Sequence, residues 1–240
     1  MGTAGSWLLL DITFYGNGLF SGDITELMGL GNSPASAALN ALYIALIALP
    51  GYFLAITFLD RIGRKRLQWA SSLVLAMLYI IIGTNFSALK GIPSLFLILY
   101  GMTFLFSNFG ANTTTYIIPG EFFPAEVRAS CHGISAAAGK VGAAIAAYSF
   151  PVLKKDSSLG VANLLIGCGI IAFIGAVWTW FLVPEYSPED LESVMKVKLT
   201  EYHAELERLA RTDVVQIDAL DQLGIATREA HSLLLAQTTC

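Results

Sequence analysis

Charged side chains are scarce in this sequence. They make up 13% of its 240 residues, whereas hydrophobic residues make up 55%. Soluble domains carry about 25% charged residues, so this composition excludes an ordinary soluble domain and favours a membrane protein. The charges are also uneven, because residues 1–184 hold seven acidic and nine basic side chains, whereas residues 185–240 hold eleven and five. We therefore divide the chain into an apolar body, 1–184, and an acidic, polar tail, 185–240.

Residues that could support catalysis, metal binding or disulfides are also few. The three cysteines and three histidines show no spacing typical of a disulfide framework or a metal site. The sequence has no phosphate loop, no G-x-G-x-x-G motif after a strand, and no nucleophile paired with a base. We therefore expect that the protein is not an enzyme, that it binds no metal and needs no cofactor, and that nucleic acid is not a partner.

Six long apolar runs occupy the body instead. They cover 5–22, 35–59, 67–86, 93–118, 129–152 and 160–183. Each run is close to the ~20 residues that a helix needs to cross the hydrocarbon core of a lipid bilayer. The sequence therefore predicts an all-α membrane protein with six transmembrane helices. A cytoplasmic tail follows, and a helix is predicted to begin near Ser187 because serine followed by proline is typical of a helix start.

The orientation of these spans follows from the basic residues between them. The stretch DRIGRKR, 60–66, joins the second and third runs, and short basic loops stay in the cytoplasm. Threading alternately from this loop puts seven Lys and Arg inside and three outside, although Lys154 and Lys155 fall on the outer side. We expect a multi-pass protein of the plasma membrane with both chain ends in the cytoplasm.

Two charges lie inside the predicted spans. Asp11 is in the first run and Lys140 is near the middle of the fifth. An ionised side chain at the centre of a membrane helix costs about 2.5–3.5 kcal/mol, so each is a candidate functional residue. Trp7, Asp11 and Tyr15 are four residues apart, which places an indole, a carboxyl and a phenol on one helix face.

Polar residues also interrupt the fourth run. The stretch SNFGANTTTY, 107–116, has two Asn, three Thr and a Gly that loosens the helix. Together with the face that carries Trp7, Asp11 and Tyr15, it predicts the polar lining of a cavity. Three simpler interpretations stay open. Asp11 and Lys140 could form a buried ion pair that only neutralises both charges. The Asn and Thr side chains could serve only to form hydrogen bonds between helices. The small residues of 135–147, apart from Lys140, could serve only close packing of one helix against another.

Several motifs resemble those of a known transporter family. DRIGRKR is similar to the short basic signature of the major facilitator superfamily, which implies a cytoplasmic gate formed by Asp60, Arg61, Gly63 and Arg64. Three longer stretches resemble the second half of the eukaryotic inorganic-phosphate:proton symporters. They are LLLDITFYGNGLF, NFGANTTTYIIPGEFFPAEVRASCHGISAAAGKVGA and VPEYSPEDLE. The likeness runs from about Ser6 to Glu192, but the usual Pro-Glu-Thr-Lys-Gly is here Pro-Glu-Tyr-Ser, from Pro184 to Ser187.

This resemblance implies an architecture and a set of site residues. The fold would be the C-terminal half of a facilitator bundle, and its partner would be an N-terminal six-helix half that this chain does not contain. The implied substrate ligands are Trp7, Asp11 and Tyr15 on the family's seventh helix and Asn112 on its tenth. Lys140 matches a position on the eleventh helix that is linked to coupling. The implied partners are inorganic phosphate, protons and the lipid bilayer.

The chemistry of these residue types agrees with phosphate transport. Dihydrogen phosphate has two hydroxyl donors, so it can donate to the Asp11 carboxylate and accept from Asn, Tyr and Trp. Sulfate has no proton to donate, and the same carboxylate would repel it. In the absence of substrate the carboxyl could hold the transported proton, and Lys140 would offset the charge. Two alternatives stay open: a half of a sugar or organic-ion facilitator, or a non-transporting, half-length partner of a full transporter.

Overall fold

The computed structural model describes residues 1–19, 21–27, 31, 33–123, 125–153 and 158–186, together with 193, 197, 200, 201, 204, 207 and 208. The chain divides into two compact units, Met1–Ser187 and Pro188–Cys240. Described positions of the second unit are helical. The predicted helix start at Ser187 lies outside the described residues, as do Lys154 and Lys155.

The described residues of the first unit form helices and no strands. The helices are α1 (Gly2–Leu19), α2 (Ser21–Leu27), α3 (Pro34–Ile62), α4 (Arg64–Thr84), α5 (Phe86–Leu89), α6 (Pro93–Phe106), α7 (Asn112–Phe122), α8 (Ala125–Leu153) and α9 (Ser158–Leu182). A π-helical turn, Ser107–Ala111, joins α6 to α7 in one continuous segment. All six predicted runs are therefore helical in the structure.

Four of these segments are long and apolar enough to cross a membrane. They are Pro34–Ile62, Arg64–Thr84, Pro93–Phe122 and Gly160–Leu182. Helices α1 and α8 correspond to the first and fifth predicted runs, but their more polar composition keeps them out of this group of four. That these two helices also cross the bilayer stays a prediction.

The connection between α3 and α4 is shorter than predicted. The interpretation of 60–66 as a loop is wrong, because α3 ends at Ile62 and α4 begins at Arg64. Only Gly63 lies between them, and its φ of 90° is in the left-handed region that glycine adopts without steric cost. The basic side chains are therefore held on two helix ends, in fixed positions, and not on a loose loop.

A polar and aromatic contact joins α1 to α6. The Tyr100 hydroxyl donates to the Asn17 carbonyl at 2.9 Å, and the Asn17 amide donates to the Thr103 hydroxyl at 3.0 Å. The Tyr100 ring stacks on Phe96 with centroids 5.3 Å apart. All four side chains are buried, and the Asn17 side-chain oxygen has no hydrogen-bond partner among the described residues. This part of the core therefore excludes solvent and pairs all but one of these polar side-chain groups.

Small residues bring α1 and α8 close together. A Cβ at Gly142 would collide with the backbone of Leu8, and a Cβ at Gly139 would collide with the Trp7 ring. The predicted close packing of 135–147 is thereby confirmed. At the π-helical turn Gly110 similarly lies against the Ser71 side chain of α4.

The glycine contact generates a stability prediction. We expect Gly142→Ala to lower the free energy of unfolding by about 1–3 kcal/mol, because the added methyl must displace the backbone of α1. Gly133→Ala on the same helix is the matched control, since a Cβ there meets nothing within 4 Å. The measurement is thermal unfolding of the purified chain in detergent. Equal stability of the two variants would contradict the close contact.

Candidate functional site

Asp11 and Lys140 lie together where α1 meets α8. The Lys140 Nζ is 3.8 Å from Asp11 Oδ2 and donates a hydrogen bond of 2.8 Å to the Tyr15 hydroxyl. The same nitrogen lies 4.7 Å from the centroid of the Tyr15 ring. The Asp11 side chain is 5% exposed, whereas that of Lys140 is 64% exposed. The two charges therefore meet, but they do not form the fully buried pair that was the simpler interpretation.

The Asp11 carboxyl keeps an unused acceptor. Its Oδ2 is shielded from solvent and has no hydrogen-bond partner among the described residues. The 3.8 Å distance to Lys140 exceeds the length of a hydrogen bond. A buried oxygen without a partner is costly, so it favours a proton or a donor group that arrives beside the ammonium. Asp11 is also more enclosed than expected for a residue that lines an open cavity.

Trp7 belongs to an aromatic cluster one turn from Asp11. Its ring contacts Tyr116 of α7 and His132 of α8 edge to face, with centroids 6.1 Å and 5.5 Å apart, and those two rings are 5.0 Å from each other. Neither Tyr116 nor His132 was predicted to be a site residue. His132 precedes Lys140 by eight residues, so the two side chains lie near the same face of α8. This spacing is the sequence signal that could have identified His132.

Asn112 lies one turn before Tyr116 on α7. Its side-chain nitrogen donates to the Tyr52 hydroxyl at 3.4 Å and to the Asn108 side-chain oxygen at 3.3 Å. Both bonds are longer than the usual 2.9–3.0 Å, so they exchange easily for a better acceptor. These two hydrogen bonds do not join Asn112 to Asp11, and each of the two residues lies one helical turn from a member of the Trp7–Tyr116 ring contact.

The threonines of the fourth run have structural partners. Thr114 donates to the Gly110 carbonyl at 2.8 Å, and Thr115 accepts from the Gln68 amide at 2.7 Å. Both are buried. Thr115 and Gln68 line an enclosed cavity of about 20 Å³, which has room for one water molecule. For these two threonines the structure agrees with the simpler interpretation of hydrogen bonds between and within helices.

The predicted gate residues form a separate charged cluster. Arg64 pairs with Asp60 at 2.8 Å and with both oxygens of Glu121 at 3.0 and 3.3 Å. The Tyr186 hydroxyl donates to Glu121 at 3.1 Å. The Arg64 side chain is only 9% exposed, so these bonds compensate a nearly buried charge. Arg61 is exposed and contributes no described ion pair to this cluster.

Glu121 and Tyr186 were missed by the sequence analysis. Tyr186 stands where the resembled family has a different residue, and no function was expected of this stretch. Burial raises the pKa of the Tyr186 phenol, and the neighbouring Glu121 raises this pKa further. The phenol therefore stays protonated and remains a hydrogen-bond donor at all ordinary pH values.

The sequence is similar to those of known transporters. Residues 15–197 match the family described as Sugar (and other) transporter. The chain is 39% identical over 206 residues to the probable inorganic phosphate transporter 1-6 of Arabidopsis thaliana, covering 81% of the chain and 39% of that relative. It is 36% identical over 221 residues to the low affinity inorganic phosphate transporter 1 of Petunia hybrida, covering 82% and 41%. The predicted resemblance to inorganic phosphate transporters is confirmed.

Solved structures with a similar fold are also transporters. A crystal structure of a double-tryptophan mutant of XylE superposes with a TM-score of 0.68 at 25% identity, covering 82% of this chain and 42% of that one. XylE, a proton:xylose symporter of the major facilitator superfamily, bound to 6-bromo-6-deoxy-D-glucose gives a TM-score of 0.64 at 25% identity, covering 81% and 42%. The chain thus spans about two fifths of the relatives it matches. Since these relatives are transporters, the expectation that the protein is not an enzyme is confirmed.

The charged cluster generates a second stability prediction. We expect Glu121→Gln to lower the free energy of unfolding by about 1–3 kcal/mol, because the nearly buried Arg64 then keeps only one acidic partner. The matched control is Glu185→Gln, whose carboxylate pairs with Arg66 at 2.7 Å between side chains that are 53% and 66% exposed. Such an exposed pair contributes about 0–1 kcal/mol. Thermal unfolding in detergent compares them, and an equal loss in both variants would contradict this ranking.

Proposed function

This chain belongs to the sugar (and other) transporter family, and we propose that it forms the C-terminal half of a carrier that moves inorganic phosphate together with protons. The observation that carries the proposal is the 39% identity to a plant inorganic phosphate transporter, which extends over 81% of the chain. The family match over residues 15–197 includes three of the candidate site residues, Tyr15, Asn112 and Lys140.

We infer the half-carrier architecture from the length that is shared. The chain covers about two fifths of the length of its relatives, and six long helical segments precede the tail. These segments are α1, α3, α4, α6 continued by α7, α8 and α9. The partner would be an N-terminal six-helix half, and rocking of the two halves around a site at the membrane midplane would give alternating access. We further propose that the helices span the plasma membrane and that both chain ends face the cytoplasm.

In this proposal Asp11 binds the proton and also recognises phosphate. Its unpaired Oδ2 is a buried acceptor that a P–OH group can satisfy, or that a proton can occupy when phosphate is absent. Substrate gains access when the exposed Lys140 ammonium swings away from Tyr15 and pairs with the phosphate oxyanion. The Lys140 charge then stabilises the anion instead of the carboxylate.

The remaining ligands complete the recognition of an oxyanion. Tyr15 and Asn112 supply a hydroxyl and an amide, and the Trp7 indole is held in place by the rings of Tyr116 and His132. Donors of this kind satisfy phosphate oxygens that do not face the carboxylate. The cluster of Asp60, Arg64 and Glu121 acts apart from substrate, as the gate on the cytoplasmic side.

A sugar carrier is the second candidate. It is favoured by the fold similarity to XylE, a proton:xylose symporter. The identity to that structure is 25%, below the 39% to the phosphate transporter. Labelled phosphate uptake in the presence of excess xylose, glucose or organic anions separates the two. Competition by a sugar would favour this candidate. If only unlabelled phosphate or arsenate, added in the same way, competes, the carrier is one for phosphate.

The half-carrier proposal has its own test. Cells that lack their own phosphate carrier would express either this chain or the chain extended by six N-terminal helices. We expect uptake only from the extended form. Uptake by neither form, with both present in the membrane, would favour the alternative of a non-transporting partner.

Asp11→Asn tests the coupling role in the extended carrier. We expect phosphate uptake driven by a pH gradient to fall at least about tenfold, because an amide neither binds the proton nor accepts as strongly from P–OH. Sulfate should then compete with phosphate, since the repelling charge is gone. Unaltered uptake with unaltered sulfate exclusion would show that Asp11 has no part in coupling.

Lys140→Gln tests charge compensation. We expect uptake per carrier molecule to fall about tenfold through a higher apparent KM for phosphate, because the exposed ammonium no longer meets the anion. Lys90→Gln is the matched control, since Lys90 directly follows α5, outside the candidate site, and its Nζ lies over the Phe86 ring. If Lys140→Gln changes carrier abundance alone, the lysine has only a structural role.

A further inference from the structure

An apolar groove lies between α4 and α9, and none of the candidate site residues lines it. The groove is open along one side and has a volume of about 320 Å³, which is within the range of small-ligand sites. Its lining residues are Trp69, Leu73, Ala176, Val177, Trp180 and Phe181. Both helices are among the four that are long and apolar enough to cross a membrane. Since Val177, Trp180 and Phe181 are exposed, the groove opens to the apolar surroundings of the bundle.

One end of this groove is polar. Lys65, Trp69 and Leu73 are four residues apart and share one face of α4, with the lysine at the start of the helix. The Lys65 Nζ lies 5.8 Å from the centroid of the Trp180 ring. No acidic side chain of the described residues forms an ion pair with Lys65. The groove therefore begins at a cation and continues along apolar side chains.

The two indole rings form the boundary between the lysine and the apolar part of the groove. The Trp69 ring contacts Trp180 edge to face at 5.1 Å. The Trp69 Nε1 is shielded and has no hydrogen-bond partner among the described residues, so it is not a donor that a ligand in the groove can reach. The polar group that the groove offers at this end is therefore the Lys65 ammonium beside the Trp180 ring.

We propose that this groove binds one anionic phospholipid. The phosphate oxygens lie at the Lys65 ammonium, and an acyl chain lies along Leu73, Val177 and Phe181. The order of groups along the groove complements that of a phospholipid. Its lysine lies where the anionic headgroup would be, at the membrane surface, and its apolar side chains lie where the acyl chain would be. The predicted orientation puts Lys65 at the cytoplasmic surface, where anionic lipids are concentrated.

A phospholipid explains the site better than a transmembrane helix of another chain would. A packed helix could fill the apolar part, but helices associate in membranes through small residues that allow close approach. This groove is instead bordered by the exposed Trp180 and the partly buried Trp69, and tryptophans are typical of the boundary between lipid headgroups and acyl chains. The lysine adds a preference for an anion, which a purely apolar helix face would not meet.

Quenching of tryptophan fluorescence by brominated phospholipids tests the proposal. The purified chain in detergent micelles is titrated with dibrominated phosphatidylglycerol or dibrominated phosphatidylcholine. We expect about fivefold stronger apparent binding of the anionic lipid, because one lysine near a membrane surface contributes about 1 kcal/mol. Equal quenching by the two lipids would mean that only nonspecific surrounding lipid, or another copy of the chain, covers the groove.

Two pairs of variants separate the parts of the site. Lys65→Gln should abolish the preference for phosphatidylglycerol, whereas Lys90→Gln should retain it, because Lys90 has the same 5.8 Å contact with an aromatic ring but follows α5, outside the groove. Val177→Phe should fill the groove and weaken quenching by both lipids. Ile170→Phe, which changes an exposed residue of α9 outside the groove, should not. Equal behaviour within either pair would overturn the proposal.

Discussion

The close approach of α1 and α8 is the contact on which the candidate site depends. Gly139 and Gly142 leave room for the Trp7 ring and the Leu8 backbone, and this brings Lys140 to within 3.8 Å of Asp11. Each charge alone would be costly inside apolar helices. Together they leave one carboxylate oxygen without a hydrogen bond and one ammonium exposed. A ligand that binds reversibly could therefore donate to the carboxylate oxygen and accept from the ammonium.

Helix α7 carries groups from both charged and aromatic regions of the bundle. Asn112 and Tyr116 belong to the candidate binding region, whereas Glu121 pairs with Arg64 in the charged cluster. These residues follow one another along a single helix of eleven residues, behind a π-helical turn. Turns of this kind occur often at functional sites, because they reorient the side chains that follow. A change at either region therefore acts on the same rigid element.

Arg64 and Lys65 illustrate why neighbouring basic residues can have different roles. The Arg64 guanidinium turns inward, is nearly buried, and binds two carboxylates. The Lys65 ammonium instead lies beside the Trp180 ring at the edge of an apolar groove. Successive side chains of a helix point about 100° apart, so one basic stretch serves both an internal ion-pair cluster and a surface that faces lipid. The single-residue connection at Gly63 fixes both directions.

Much of the architecture followed from the sequence because it depends on local composition. Apolar runs near 20 residues predicted six helical segments, and solitary charges predicted Asp11 and Lys140 as unusual, since burial of a charge is costly in any fold. The motifs also predicted the relationship to phosphate transporters. The helix ends were less accurate, and the stretch 60–66 was wrongly predicted as a loop because a single glycine can turn the chain.

Only the tertiary structure decided which distant side chains meet. The pairing of Glu121 with Arg64, the contact of His132 with Trp7 and the bond from Tyr186 join residues that are far apart in the sequence. It also decided that Asp11 is enclosed whereas Lys140 is exposed, and that Thr115 bonds to Gln68. Periodicity specifies the face of a helix on which a residue lies, but the packing of one helix against another determines what that face contacts.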